Sequence, residues 1–75
     1  MPTLQRFPAS RVLMYADDHL LPHVHVRLND GRECSVDIDT LEIKERIAAR
    51  EIRDELVWIA ANRALLHGEW RRYNP

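Results

Sequence analysis

The clearest pattern along the chain is the strict alternation of His23-Val24-His25-Val26-Arg27-Leu28, with Val24, Val26 and Leu28 on one side and His23, His25 and Arg27 on the other. It predicts a strand with one dry and one polar face. Asn29-Asp30-Gly31 follows as a turn signal, because Gly31 reaches positive φ without a Cβ penalty, and Arg32 to Asp39 reads as the next strand. The side-chain pattern discriminates between loop lengths. A two-residue Asp30-Gly31 loop would set Val26 against Ser35 and His25 against Val36, mixing polar with apolar on each face. A three-residue Asn29-Asp30-Gly31 loop instead pairs Val24 with Val36, Val26 with Cys34, His23 with Asp37 and His25 with Ser35. The polar face then carries His23, His25, Arg27, Glu33, Ser35 and Asp37, with Asp39 at its end.

Upstream, Arg11-Val12-Leu13-Met14-Tyr15-Ala16 is apolar on both alternating sets, which predicts a strand that is central or covered on both faces. Pro2 and Pro8 make residues 1 to 9 an extended lead-in, and Asp18 to Pro22 reads as a loop. Beyond Thr40-Leu41, the segment from Glu42 or Glu45 to Tyr73 is rich in Ala, Leu, Arg and Glu without an internal proline, so it is helical. Ile52, Leu56, Ile59, Leu66, Trp70 and Tyr73 form its apolar seam, interrupted at Arg63. A single helix of about 27 residues would be about 40 Å long and overhang a short sheet. Asn62, a candidate N-cap, and Gly68 keep a kink or a division into two helices open. The expected fold is α+β: a three-stranded antiparallel sheet followed by a C-terminal helical half, either one long or kinked helix or two helices, in a single small domain over residues 1–75.

Composition narrows the function classes. With 75 residues, 45% hydrophobic and 31% charged, the chain is a small folded domain and neither a two-domain enzyme nor a disordered segment. Eleven basic against 12 acidic residues leave a net charge of -1, so contact with nucleic acid or an anionic membrane requires a local patch. The single cysteine, Cys34, cannot form an internal disulfide, and a cytoplasmic location is expected. It falls on the dry face, where a thiol acts as a small hydrophobe rather than a nucleophile. The start of the chain lacks the apolar core of a signal peptide, and no apolar run reaches the roughly 18 residues of a membrane span.

Candidate chemistry concentrates in His19, His23 and His25. Two strand imidazoles with His19 and Asp37 would suit zinc; otherwise no metal or cofactor is expected. Without a metal, His23 and His25 could serve as an acid–base pair with Arg27 on a phosphate, which is sufficient for RNA cleavage. A third possibility is that the histidines are half-exposed strand residues hydrogen-bonded across to Asp37 and Ser35. Arg46, Arg50 and Arg53 would share a helix face, but Glu42, Glu45, Glu51, Asp54 and Glu55 are interleaved, and Glu42 to Arg46 makes an i,i+4 pair. That face reads as solvated and self-paired before it reads as an RNA groove. Trp58 lies off the apolar seam, so it either packs on its own chain or meets a partner.

Met14-Tyr15, Asp18-His19, Pro22-His23 and His25, the Asp37 to Glu42 segment, and the helical Trp58 and Trp70 together resemble the bacterial domain-of-unknown-function family DUF4160. The likeness covers nearly the whole chain. Leu21-Pro22 departs from it, since Pro-Pro is usual there. The resemblance implies a small prokaryotic cytosolic protein, often encoded beside a second small protein in an arrangement similar to a toxin–antitoxin pair. It maps the family's motif histidines onto His19, His23 and His25 and supplies no catalytic assignment.

The resulting expectation is a component of a toxin–antitoxin-like two-gene module that contacts RNA through its histidine-rich strand face. Catalysis would fall to His23, His25 and Arg27, with His19, Ser35, Asp37 and Trp58 as binding residues. Two alternatives are a non-catalytic subunit that docks the neighbouring protein or itself through Trp58, Trp70 and the C-terminal helix, and a metal-binding domain. No membrane partner is expected.

Overall fold

A computed structural model describes residues 3–15 and 21–75. The elements in chain order are strands β1 (Thr3–Phe7), β2 (Ser10–Leu13), β3 (His23–Leu28), β4 (Glu33–Asp37) and β5 (Ile43–Lys44), a 3-10 helix (Ala49–Ile52), and helices α1 (Arg53–Ala61) and α2 (Arg63–Tyr73). The architecture is α+β, with one antiparallel sheet in the order β1-β2-β3-β4-β5.

The β3–β4 hairpin has the register set by the alternation: His23 faces Asp37, Val24 faces Val36, His25 faces Ser35 and Val26 faces Cys34. Its turn closes with Leu28 N–H donating to the Arg32 carbonyl at 2.8 Å, while Gly31 takes φ +97°. β2 lies between β1 and β3, pairing Val12 with Val26 and Leu13 with His25. Both Val12 and Leu13 are buried, as expected of a strand covered on both faces.

The sheet has five strands where three were expected. Pro8 ends β1 without forbidding it, because an edge strand leaves one side of its backbone without ladder bonds. β5 is too short to show a period, pairing only Ile43 with Val36 and Lys44 with Ser35. The turn into β5 puts Leu41 at φ 63° and the exit puts Glu45 at φ 86°, both left-handed. No right-handed helix passes through such residues, so the helical half begins at Ala49 and not at Glu42 or Glu45. Arg46 therefore does not share a helix face with Arg50 and Arg53, which border one groove, and Glu42 and Arg46 are not a helical pair.

The helical half is two helices that meet at Asn62, with φ -119° and ψ 25°. Asn62 does not cap α2 with its side chain. Its Nδ2 donates back to the Trp58 carbonyl at 2.8 Å, and its backbone N–H donates to Ile59 at 3.1 Å. At 1.5 Å per residue the helices are about 14 and 17 Å long, close to the span of the strands beneath, so neither overhangs. Their seam packs on the dry face: Ile52, Ile59 and Leu66 join Val12, Val24, Val26, Cys34 and Val36 in the core, with Trp70 beside them and Leu56 and Tyr73 partly buried at its margin. Burying each large side chain contributes about 1.5–3 kcal/mol. Arg63, the interruption in the seam, donates through Nε and Nη2 to the carbonyls of Ile38 at 3.0 Å and Asp39 at 3.2 Å.

One side chain differs in role from its sequence reading, and a second takes one of the two alternatives the sequence left open. Glu55, placed on a solvated face, is buried, and the equally buried Ser10 hydroxyl donates to its carboxylate at 2.5 Å. Trp58 packs edge-on against Phe7, with ring centroids 6.4 Å apart and planes at 84°, so strand β1 gives it an intrachain partner. Among the described residues, no helix is long and apolar enough to cross a membrane.

Removing the Ser10 hydroxyl leaves a buried carboxylate without its donor. Ser10→Ala is therefore expected to lower unfolding free energy by about 1–3 kcal/mol in urea titrations, and adding Glu55→Leu recovers part of the loss by removing the stranded acceptor.

Candidate functional site

Residues directly opposite in an antiparallel ladder share a face. The face away from the helices therefore collects Arg6, Arg11, Leu13, His23, His25, Arg27, Glu33, Ser35, Asp37 and Lys44 from all five strands. His23 and His25 come together, with ring centroids 5.0 Å apart at 64°. His25 Nδ1 lies 3.3 Å from a Glu33 carboxylate oxygen. The Tyr15 hydroxyl donates to both oxygens of the same carboxylate, at 3.0 and 3.2 Å, while its ring meets that of His25 edge-on at 4.3 Å. Burial raises the Tyr15 pKa, the Glu33 carboxylate adds to the rise, and the charges of Arg27 and Arg11 oppose it.

His23 is 8% exposed. Its Nδ1 donates to the Leu21 carbonyl at 2.7 Å, and its ring packs 5.1 Å from that of Trp70. Trp70, His23, His25 and Tyr15 thus form a chain of ring contacts from α2 onto the polar face. The Nε2 atom of His25 is buried as well. Both imidazoles are in this way part of the packing, whereas Arg27 stands exposed beside them. A cavity of about 210 Å³ opens next to His23, between Leu21, Ser35, Asp37 and Lys44.

Asp37 lies opposite His23 but serves its own turn. One carboxylate oxygen accepts the N–H groups of Asp39 at 2.8 Å and Thr40 at 2.9 Å, and these bonds, the Thr40 N–H foremost, hold its pKa below the ordinary carboxylate range. The Asp37 to Glu42 segment ties β4 to α2: Asp39 accepts from His67 Nε2 at 2.7 Å, next to the Arg63 bonds. His19 lies outside the described residues. Among the described residues, no group of three or more His, Cys, Asp or Glu side chains could hold a metal ion. Burial pushes the Cys34 thiol up to about 11, so it stays protonated near neutral pH.

Tyr15, Trp70 and Glu33 carry the histidine cluster, yet none stands out in the sequence as its support. The β3–β4 register alone placed Glu33 on the right face. Tyr15 follows from the β2–β3 pairing, which the pattern of neither strand reveals.

A pKa lowered by folding gives stability that is present above the unfolded value, about 3.9, and is lost as pH falls through the folded value. Asp37→Ala is thus expected to cost about 1 kcal/mol at pH 7 and less near pH 3, whereas Asp37→Asn, which keeps an accepting oxygen, costs less at pH 7. Thermal unfolding of the three proteins across pH checks both outcomes.

No curated protein and no solved structure matches the chain. A family model described as "Domain of unknown function (DUF4160)" matches residues 10–71, from β2 into α2, and therefore takes in the histidine cluster, the Asp37 turn and the helical seam as far as Trp70. The chain belongs to the DUF4160 family.

Proposed function

We propose that this protein is the RNA-contacting component of a toxin–antitoxin-like two-gene module, and that it holds RNA on the polar face of its sheet. The observation that carries this reading is Arg27. It is exposed beside the histidine cluster, and its cross-strand neighbour Glu33 is occupied by Tyr15 and His25. That leaves a guanidinium available for bidentate contact with a phosphate. The buried His23 ring and His25 Nε2 atom favour binding over cleavage, the two imidazoles bracing the face between Trp70 and Tyr15. In fluorescence anisotropy with a labelled single-stranded RNA, affinity should fall with added salt. Arg27→Ala should weaken binding for all sequences alike and reduce the slope of log K against log salt by about 0.7. Absence of binding by the wild-type chain overturns the reading.

A docking subunit is the second reading, and the outer face of the helices favours it. Val57 is 64% and Leu65 54% exposed. Val57 also borders an apolar groove with Leu41, Leu56 and Ala60. Because Trp58 is engaged with Phe7, docking of the neighbouring small protein or of a second copy falls to Val57 and Leu65. Val57→Glu with Leu65→Glu should abolish co-purification with the neighbouring protein, or concentration-dependent dimerisation in light scattering, without lowering the melting temperature. Unchanged association excludes this face.

A further inference from the structure

Arg6, Arg11 and Arg27 lie in one row across the sheet. Arg6 is directly opposite Arg11 in the β1–β2 ladder, and Arg11 is directly opposite Arg27 in the β2–β3 ladder. Like charges so placed repel one another across a sheet. Among the described residues, no carboxylate forms an ion pair with any of the three. Asp30 in the β3–β4 turn is held by Arg32 at 2.9 Å, and Glu33, directly opposite Arg27, has its carboxylate engaged by the Tyr15 hydroxyl. The row borders a cavity of about 460 Å³ whose lining contains no acidic residue. Its floor is braced, because the Asn29 backbone N–H and side chain donate to the carbonyls of Ala9 at 2.9 Å and Pro8 at 3.2 Å, tying together the turns at this end of the sheet. A chain with net charge -1 therefore gathers three guanidiniums at one end of its polar face, with Glu33 continuing the row opposite Arg27.

We propose that Arg6, Arg11 and Arg27 form a phosphate-binding row that carries the backbone of single-stranded RNA across strands β1, β2 and β3 at the hairpin end of the sheet. The proposal rests on the RNA-binding reading and adds the path of the ligand. Neighbouring strands lie about 4.8 Å apart, so the row extends about 10 Å, enough for more than one phosphate. The strand passes beside the histidine cluster rather than along β3 over it. Guanidinium forks match phosphate oxygens bidentately, and an anion between them offsets the repulsion among the three like charges.

The test is fluorescence anisotropy of the full chain with a labelled single-stranded RNA over a salt series, comparing wild type with Arg6→Gln/Arg11→Gln. Arg71→Gln/Arg72→Gln, on the last turn of α2, is the control with the same loss of charge. Three phosphate contacts give a slope of log K against log salt near -2, and the Arg6/Arg11 variant should bring it to about -0.7, weakening binding about tenfold or more at low salt, with the control close to wild type. If the double variant loses its wild-type circular dichroism, each single variant should lower the slope by about 0.7. RNA binding that is indifferent to Arg6 and Arg11 overturns the row and leaves the RNA-binding reading standing. No RNA binding by wild type overturns both. Displacement of RNA by polyglutamate at equal charge concentration would make the row a general acid-binding patch and overturn its assignment to RNA.

Discussion

The register of the β3–β4 hairpin is the constraint on which the rest of the structure depends. A period of two means that a slip of one residue would turn one strand over against the other, setting Val26 against Ser35 and His25 against Val36 and bringing polar side chains under the helices. The three-residue turn prevents this: Gly31 at φ +97° closes it, and the Leu28 to Arg32 bond locks it. The same turn reaches the helical half. Arg32 pairs with Asp30 at its base and extends to Glu51 at 3.0 Å, and the other oxygen of Glu51 accepts the Ala48 N–H ahead of the 3-10 helix.

A second connection runs through the Asp37 turn. Its carboxylate organises the backbone of Asp39 and Thr40, and the carbonyls of Ile38 and Asp39 and the Asp39 side chain then receive Arg63 and His67 from α2. The sheet thus grips α2 at one end by this polar cluster and under its middle by Leu66 and Trp70. Trp70 also meets His23, whose ring leads on to His25 and Tyr15. The motif histidines are in this way coupled to helix packing, and a substitution at His23 bears on stability as well as on the surface beside it.

The polar face divides into two parts of different character. Around His23 and His25 the polar groups are engaged with one another and with backbone, and a buried network of this kind rigidifies the surface above it. Toward the β1–β2 and β3–β4 turns lie the exposed Arg6 and Arg27 and the half-buried Arg11, and among the described residues none of the three is ion-paired. A rigid support beside a concentrated charge is a suitable arrangement for holding an extended polyanion. The helical side of the molecule offers a different surface, apolar at Val57 and Leu65, so contact with a second protein and contact with RNA would not compete for the same residues.

Short-range pattern was enough to give the hairpin, its register, the two faces and the apolar seam of the helices, because each rests on side-chain periodicity within a few residues. It indicated the break near Asn62 but left one helix and two equally compatible with the seam. Tertiary structure decided the remainder. β1 and β5 exist because a neighbouring strand offers them backbone partners, and the left-handed Leu41 and Glu45 are held by the turn that returns the chain to β4. Glu55 is buried because Ser10, 45 residues away in sequence, supplies a hydroxyl. The histidines and arginines were visible as residue types. Which of them became packing and which remained a charged row depended on Tyr15, Trp70, Glu33, Arg6 and Arg11 arriving from other elements, and contacts between distant segments leave no periodic trace in the chain.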